Sequence, residues 1–553
     1  MPQEAPDNPI LVRNRSASGG MNTFSSPLDI RDDQVVEILN GLASIPGIRG
    51  VRPGTSLVAT GLTYGPIMAA AEFVPSTFIP ELLVITPGAT HPNSANLQLW
   101  KWDGTSPTFS HVGALTGMTS ATMPIDIVVG LDLNASGGPA VALIANKQPI
   151  NFHYYYNGSA LVTGPRISTG AFPYGSAVGR MFFGGRSGVN RGKLFFSDVG
   201  SFAATGFSTT SAFTMGGGSR QEIICLKDFR SSDLIVFMQD RIEVMQLDGS
   251  PYDISASGLF TTNAAQSWVR GVIDRQIGCG SRRTVQTIGQ DLLFMDQHAA
   301  VRSLARTITD NSQGTRSLPV SAPIQSWIDR VNPAALDSAE AASFDRYYVI
   351  SLPIDSATSP SHTFVYDSIN QSWVGPWDGP WAKACSLVVA TLGSASVSTD
   401  KDPTLYIGAS TKTQGEVYRS FVGTGDDGAP IVYQETTRRE TFGTFEARKM
   451  LRRARLYAFP SPGATMSVEA RVDGGQFKLV AYADLSGSSP QLPLTLPVDL
   501  SGSGVVEKVM SLESGFENAL DLQYRFTCTA PVDLQLIGHT TQAHLKEVNW
   551  QVT

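Results

Sequence analysis

Between residues 55 and 421 no apolar run lasts long before a turn residue interrupts it. "LLVITPG" is followed by "LQLWKWDGTS", "VALIAN" by "INFHYYYNGSALV", and "LIVFMQDRIEVMQLDGS" by "DLLFMDQHAAVRSL". Each run is rich in β-branched and aromatic residues and too short for a helix, which is the signature of strands. Asp103-Gly104, Asn157-Gly158 and Asp248-Gly249 mark hairpins, because Asp, Asn and Gly tolerate the positive φ of a tight turn. So many short strands must close on themselves or leave sticky edges. The units recur at roughly fifty residues, the span of one four-stranded propeller blade. The expectation is an all-β chain whose residues 55–425 form a β-propeller of about six blades; a stacked pair of sandwiches is the competing arrangement. Helical periodicity is confined to "APIQSWIDRV" (322–331) and, more weakly, "DDQVVEILNGL" (32–42).

After "GTGDDGAP" the texture changes to longer alternating strands, with a hairpin at Asp473-Gly474-Gly475. Residues 426–553 read as a C-terminal β-sandwich platform domain. Residues 1–54 read as an ordered N-terminal arm: "SGGMN" is a turn, "SPLDI" is extended, and nothing in the stretch is low-complexity. An arm without a core of its own docks elsewhere, on the sandwich or on a neighbouring subunit.

Only 16% of residues are charged, and the net charge is −7. That balance argues against a basic surface gripping phosphates, yet it allows a channel through which DNA slides. No secretory leader is visible at "MPQEAPDNP", and no apolar run reaches the length of a membrane span. The expectation is a soluble protein made in a cytoplasm. Cys225, Cys279, Cys385 and Cys528 are scattered and read as small hydrophobes.

The usual catalytic signatures are missing: no nucleophile elbow, zinc-helix motif, phosphate loop or calcium loop occurs. His539 and His544, five residues apart, would face opposite ways on a strand, so no metal site or cofactor is expected. The glycine stretches 182–198 and 214–221 lack a following helix and read as hairpin loops. Asp103, Asp240, Asp248 and Asp296 could converge as glycosidase acids, but each sits in a turn that accounts for it. Two clusters remain as candidate contacts. Arg448, Lys449, Arg452, Arg453 and Arg455 form the densest basic run, a subunit or adaptor contact or an ordinary solvated strand face. Trp373, Trp377 and Trp381, spaced by Gly-Pro pairs, form either a surface recognition loop or a blade core.

With these parts in order, the layout resembles a known family. "GGMNTFSSPLDIRDDQ" (19–34), Asn40 and "VRPGT" (51–55) resemble the opening of the tail nozzle, or tail tubular B, proteins of short-tailed bacteriophages. "GRMFFGGRSGVNRGKLFFSDVG" (179–200), "CGSRRTVQTIGQDLLFMDQHAAVRSL" (279–304) and "FVYDSINQSWVGPW" (364–377) are similar to that family's blades, although His298-Ala299-Ala300 stands where a glycine is commoner. The resemblance implies a structural virion protein, not an enzyme. It would form a homo-hexameric ring below the tail adaptor protein, assembled in the host cytoplasm, with viral DNA passing non-specifically through the centre. Larger relatives carry long insertions for fibre contacts and this chain is compact, so tail fibres stay an open partner. The alternatives are a carbohydrate- or receptor-binding propeller and a glycosidase.

Overall fold

The structure is a computed structural model. It describes residues 10–545 apart from 16–18, 46–47, 63–64, 76–78, 89–95, 119–124, 132–139, 147–153, 164–170, 178–179, 186–190, 198–206, 217–220, 231–232, 248–268, 317, 393–401, 410–414, 444–446, 487–504, 513–515, 517 and 530–532. The Asp248-Gly249 turn and the tips of both glycine loops lie outside the described residues.

The protein is nearly all β. Among the described residues six four-stranded antiparallel groups form blades: four are separate sheets that begin, counted from the innermost strand, at Ala69–Phe73, Ile125–Leu131, Ala171–Ala177 and Ile223–Phe229, and two, beginning at Glu340–Phe344 and Ala384–Ala390, are parts of larger sheets of ten and six strands. Between the fourth and fifth of these stands a smaller sheet of three strands, Gln286–Ile288, Asp291–Met295 and Val301–Ser303. The inner strands neighbour one another in chain order, and Ala384–Ala390 returns to pack on Ala69–Phe73, which closes a ring. Closure is secured by a strand from the chain's start. Thr55–Leu57 completes the last blade by pairing with Val417–Ser420. The blade faces are apolar, so neighbouring blades share cores such as that of Phe73, Leu83, Ile144 and Tyr156.

Hairpin chemistry sets the blade turns. Asp103 accepts from the amides of Thr105 and Ser106 at 2.9 and 2.8 Å, ahead of Gly104 at φ 84°. Asn157 accepts from Ser159 and Ala160 at 3.0 and 2.8 Å in the same way.

The sandwich is built from both ends of the chain. One sheet holds Val506–Ser511, Lys449–Ala458 and Gln535–Leu545, extended by Ile10–Arg15, Ile48–Val51 and Gly41–Ile45 from the arm. The other runs from Lys478–Asp484 through Thr465–Val472, Leu522–Thr529 and Val432–Thr437 to Gln34–Leu39. There it continues through the Gly375–Ile38 pairing into the blade strand Ser372–Trp377. Propeller and sandwich thus share a ten-stranded sheet, and one apolar cluster runs from Tyr348 and Trp373 to Tyr524 and Phe526.

Residues 322–331 are helical in part, a 3-10 turn at Ala322–Ile324 leading into Gln325–Ile328. The weaker helical expectation for residues 32–42 is corrected: Gln34–Leu39 is a strand, because partners on both flanks satisfy its backbone. A ten-residue helix, Leu304–Gln313, went unanticipated; Ser303 caps its N-terminus and Gly314 at φ 67° ends it.

Candidate functional site

Asn40 and Arg52, both in the arm, meet at the place where arm, propeller and sandwich join. Asn40 holds φ 52°, a left-handed conformation that asparagine adopts more readily than most residues. Its amide nitrogen donates to Asp378 Oδ1 at 2.6 Å and to the Val432 carbonyl at 2.8 Å, and its oxygen accepts from Arg52 Nε at 3.0 Å. Arg52 is fully buried and makes a two-pronged contact to Asp426, at 2.9 and 2.6 Å. Gly54 packs so tightly that a Cβ would lie 2.0 Å from the Gly425 carbonyl oxygen. The arm's "RPG" is therefore a clasp between the closing strand and the sandwich.

The tryptophans belong to the same region, and surface recognition by them is corrected. Trp373, Trp377 and Trp381 are at most 1% exposed. Trp373 Nε1 donates to the Val320 carbonyl at 2.8 Å and Trp377 Nε1 to the Gly41 carbonyl at 3.0 Å. The Trp377 and Trp381 rings meet edge-on at 4.9 Å, with Phe421 against both. The Gly-Pro pairs suggested a loop, but Ser372–Trp377 pairs with blade strand His362–Asp367 on one side and touches the arm on the other, which turns the rings into core.

Apart from Arg448, which precedes it, the basic run lies on strand Lys449–Ala458. A bulge between Leu451 and Arg453 breaks alternation, so that Arg452 and Arg453 both face solvent. Arg455 pairs with Glu507 at 2.8 Å, and Arg448 lies 3.7 Å from Asp473. Lys449 is corrected out of this surface: it is buried, and its Nζ donates to the Leu520 carbonyl at 2.9 Å. Burial pulls its pKa below the usual lysine value.

Two of the turn acids, Asp103 and Asp296, are held by their own turns. Asp103 is engaged in its own turn, with its pKa lowered to about 2 because the Ser106 and Thr105 amides outweigh the effect of burial. Asp296 is buried, accepts from the His298 and Ala300 amides and pairs with Arg302 at 2.5 Å. His539 is buried against Tyr524 and Phe526, whereas His544 is half-buried. Among the described residues no group of three potential metal ligands occurs.

The propeller axis holds a constellation that sequence reasoning missed. Where the three-stranded sheet begins, the 3-10 turn Arg282–Thr284 aims two arginines at the starts of the inner strands. Arg283 donates to the carbonyls of Met68, Ile125 and Cys385 at 2.5, 2.6 and 3.3 Å and to Glu340 Oε2 at 2.8 Å. Arg282 donates to the Ile125 carbonyl at 2.7 Å and pairs with Asp126. Burial pushes the Glu340 carboxyl upward while Arg283 pulls it back. The two arginines floor a cavity of about 480 Å³ that opens past the exposed residues Val129 and Asp228. Consecutive arginines amid apolar strands were the only local signal. Their acceptors lie up to 215 residues away.

No family model matches the chain. No curated protein is similar to it either. Among solved structures, an exo-β-1,3-galactanase of Phanerochaete chrysosporium is similar at 10% identity and TM-score 0.29, over 89% of this chain and all of that one. The Aleuria aurantia lectin is similar at 10% identity and TM-score 0.28, over 78% of this chain and all of the lectin. Among the described residues no helix is long and apolar enough to cross a membrane.

Proposed function

We propose that this protein is a structural subunit of the nozzle at the end of a short phage tail, assembled as a ring of copies around the path of viral DNA. The observation that carries this reading is the one-piece construction. The arm gives strands to both sandwich sheets, then closes the propeller through Thr55–Leu57, and a single sheet spans both bodies. Pulling propeller from sandwich would require breaking strand pairing and the buried Arg52–Asp426 contact together, which suits a part under load. The motifs that carry the family resemblance, Gly19-Gly20, Asn40 and Arg52-Pro53-Gly54, lie at or beside this clasp. Gly20 has φ 67°, and a Cβ there would come 2.5 Å from the Trp373 carbonyl oxygen.

On this reading the DNA path runs between copies, because Arg282 and Arg283 floor the propeller's own axis. Arg452 and Arg453 are the proposed contact to a neighbouring subunit or to the adaptor. A hydrolytic role at this cavity is disfavoured by the engagement of Asp126 and Glu340 with guanidinium groups, since glycosidases use a pair of carboxyl groups as acid and as base or nucleophile. Immunogold electron microscopy of the virions tests the proposal: label at the distal end of a short tail is expected. Label on lateral appendages, or on no particle, would overturn it.

A further inference from the structure

Among the described residues, three of the most exposed large apolar side chains are Phe24, Leu318 and Ile369, at 62%, 68% and 64% exposure. They are far apart in sequence, yet the fold draws their segments together around Trp373. The Thr23 amide donates to the Pro323 carbonyl at 2.7 Å, and Trp373 Nε1 donates to the Val320 carbonyl at 2.8 Å. Gly20 packs against Ser372 and the Trp373 carbonyl, and Ile369 lies in the hairpin turn between Asp367 and Ser372. Each exposed side chain stands within three residues of one of these contacts. Single apolar residues on a surface need no explanation. A group drawn from the arm, a blade hairpin and the segment before Ala322–Ile324 marks a surface that something covers.

Strand Gln535–Leu545 runs out of the sandwich at this same end. Leu545 pairs with Lys449 and Lys449 with Ala519; close by, Asp521 holds Arg439, whose amide donates to the Pro27 carbonyl at 2.9 Å. Neighbouring strands lie about 5 Å apart, so these few steps connect Leu545 to the loop that carries Phe24. Residues 546–553, "KEVNWQVT", follow directly and lie outside the described residues. Eight extended residues span about 26–29 Å, enough to cross from Leu545 to the exposed group. Val548, Trp550 and Val552 occupy every second position, so an extended segment turns all three to one side. At their centre is tryptophan, a residue type enriched among the anchors of interfaces.

We infer that residues 546–553 dock on the Phe24, Leu318 and Ile369 surface of their own chain, with Val548, Trp550 and Val552 against it. Docked there, the segment ties the sandwich to the arm and the fifth blade from outside. It also screens apolar surface that would otherwise promote association of free chains.

Hydrogen exchange of the full chain tests this. Trp550→Ser should raise exchange in peptides covering residues 22–28, 318–323 and 368–372 by about fivefold or more, while peptides over Arg282–Thr284 at the axis keep theirs. Leu318→Ser, on the other side of the contact, should speed exchange in residues 546–553 by a similar factor. Thermal melts confirm that each variant is folded, and either one carries the test if the other is not. Ile369→Cys, combined in turn with Val548→Cys and Val552→Cys, distinguishes the source of the segment, because the native cysteines are buried or half-buried. At least one pair should form a disulfide within a single chain, read by mass spectrometry without reductant. Unchanged exchange at the three surface segments, a rise spread over the whole chain, or disulfides that join only two different chains would each overturn the inference.

Discussion

Replacing Arg52 with methionine keeps an unbranched side chain but removes the guanidinium from the clasp. That group donates to Asp426 Oδ1 and Oδ2 at 2.9 and 2.6 Å, to Asn40 Oδ1 at 3.0 Å, and to the Asp378 and Pro53 carbonyls at 3.0 and 3.2 Å. Arg52 has no exposed side-chain surface and Asp426 is 11% exposed, so water cannot readily replace what is lost. Asp426 would keep only the Thr55 hydroxyl, at 3.0 Å. Breaking one side of a buried pair costs about 3–5 kcal/mol, and that is the expected loss. The same substitution at Arg455, whose pair with Glu507 is 46% and 42% exposed, should cost about 0–1 kcal/mol. Urea unfolding followed by tryptophan fluorescence is the assay, because the Trp377 ring lies 5.8 Å from the Arg52 guanidinium. Adding Asp426→Asn completes a double-mutant cycle, in which the pair should be strongly non-additive. If Arg52→Met costs no more than Arg455→Met, or the two clasp variants simply add, the clasp is not what joins the arm to the rest.

Other consequences can be measured alongside. His539 is pushed down to about 3 by burial, with Arg49 and Arg438 adding to the shift. A histidine depressed in the fold stabilises fully above its unfolded pKa near 6.5, and that contribution is lost as pH falls from there toward 3. Stability should therefore drop by about 1.4 kcal/mol per pH unit in that window from this group alone, and His539→Gln should flatten the slope of melting temperature against pH. Gly54→Ala should prevent folding or cost several kcal/mol, because its Cβ would meet backbone, whereas Gly443→Ala, at φ 82° with open space around it, should cost only about 1–2 kcal/mol in chemical denaturation. Arg452→Glu with Arg453→Glu should change monomer stability by no more than about 0.5 kcal/mol each, yet abolish the ring in native mass spectrometry; an intact ring would remove these residues from the contact.

The sequence by itself determined what is local. Period-two runs punctuated by Asp-Gly and Asn-Gly made the chain all-β, because turn geometry depends on a few adjacent φ values and strand alternation on adjacent side chains. "APIQSWIDRV" was legible as helix for the same reason. "LARTITDNSQ" was not, since its Thr, Asn and Asp residues hide the apolar stripe that Leu304 and Thr307 bury. Burial and partnership were decided only by the tertiary structure. The Trp373–Trp381 segment resembled an exposed loop until distant strands covered it. Residues 32–42 resembled a helix until partners near residues 375 and 434–437 fixed Gln34–Leu39 as a strand. The five basic residues at 448–455 formed one patch on paper; strand alternation set Arg452 apart from buried Lys449, and a bulge turned Arg453 outward as well. Arg282 and Arg283 were two unremarkable charges whose acceptors come from blades far apart in the chain. Hydrogen bonds and burial depend on proximity in space, and when a ring closes from its two ends that proximity is fixed by the fold rather than by sequence neighbours.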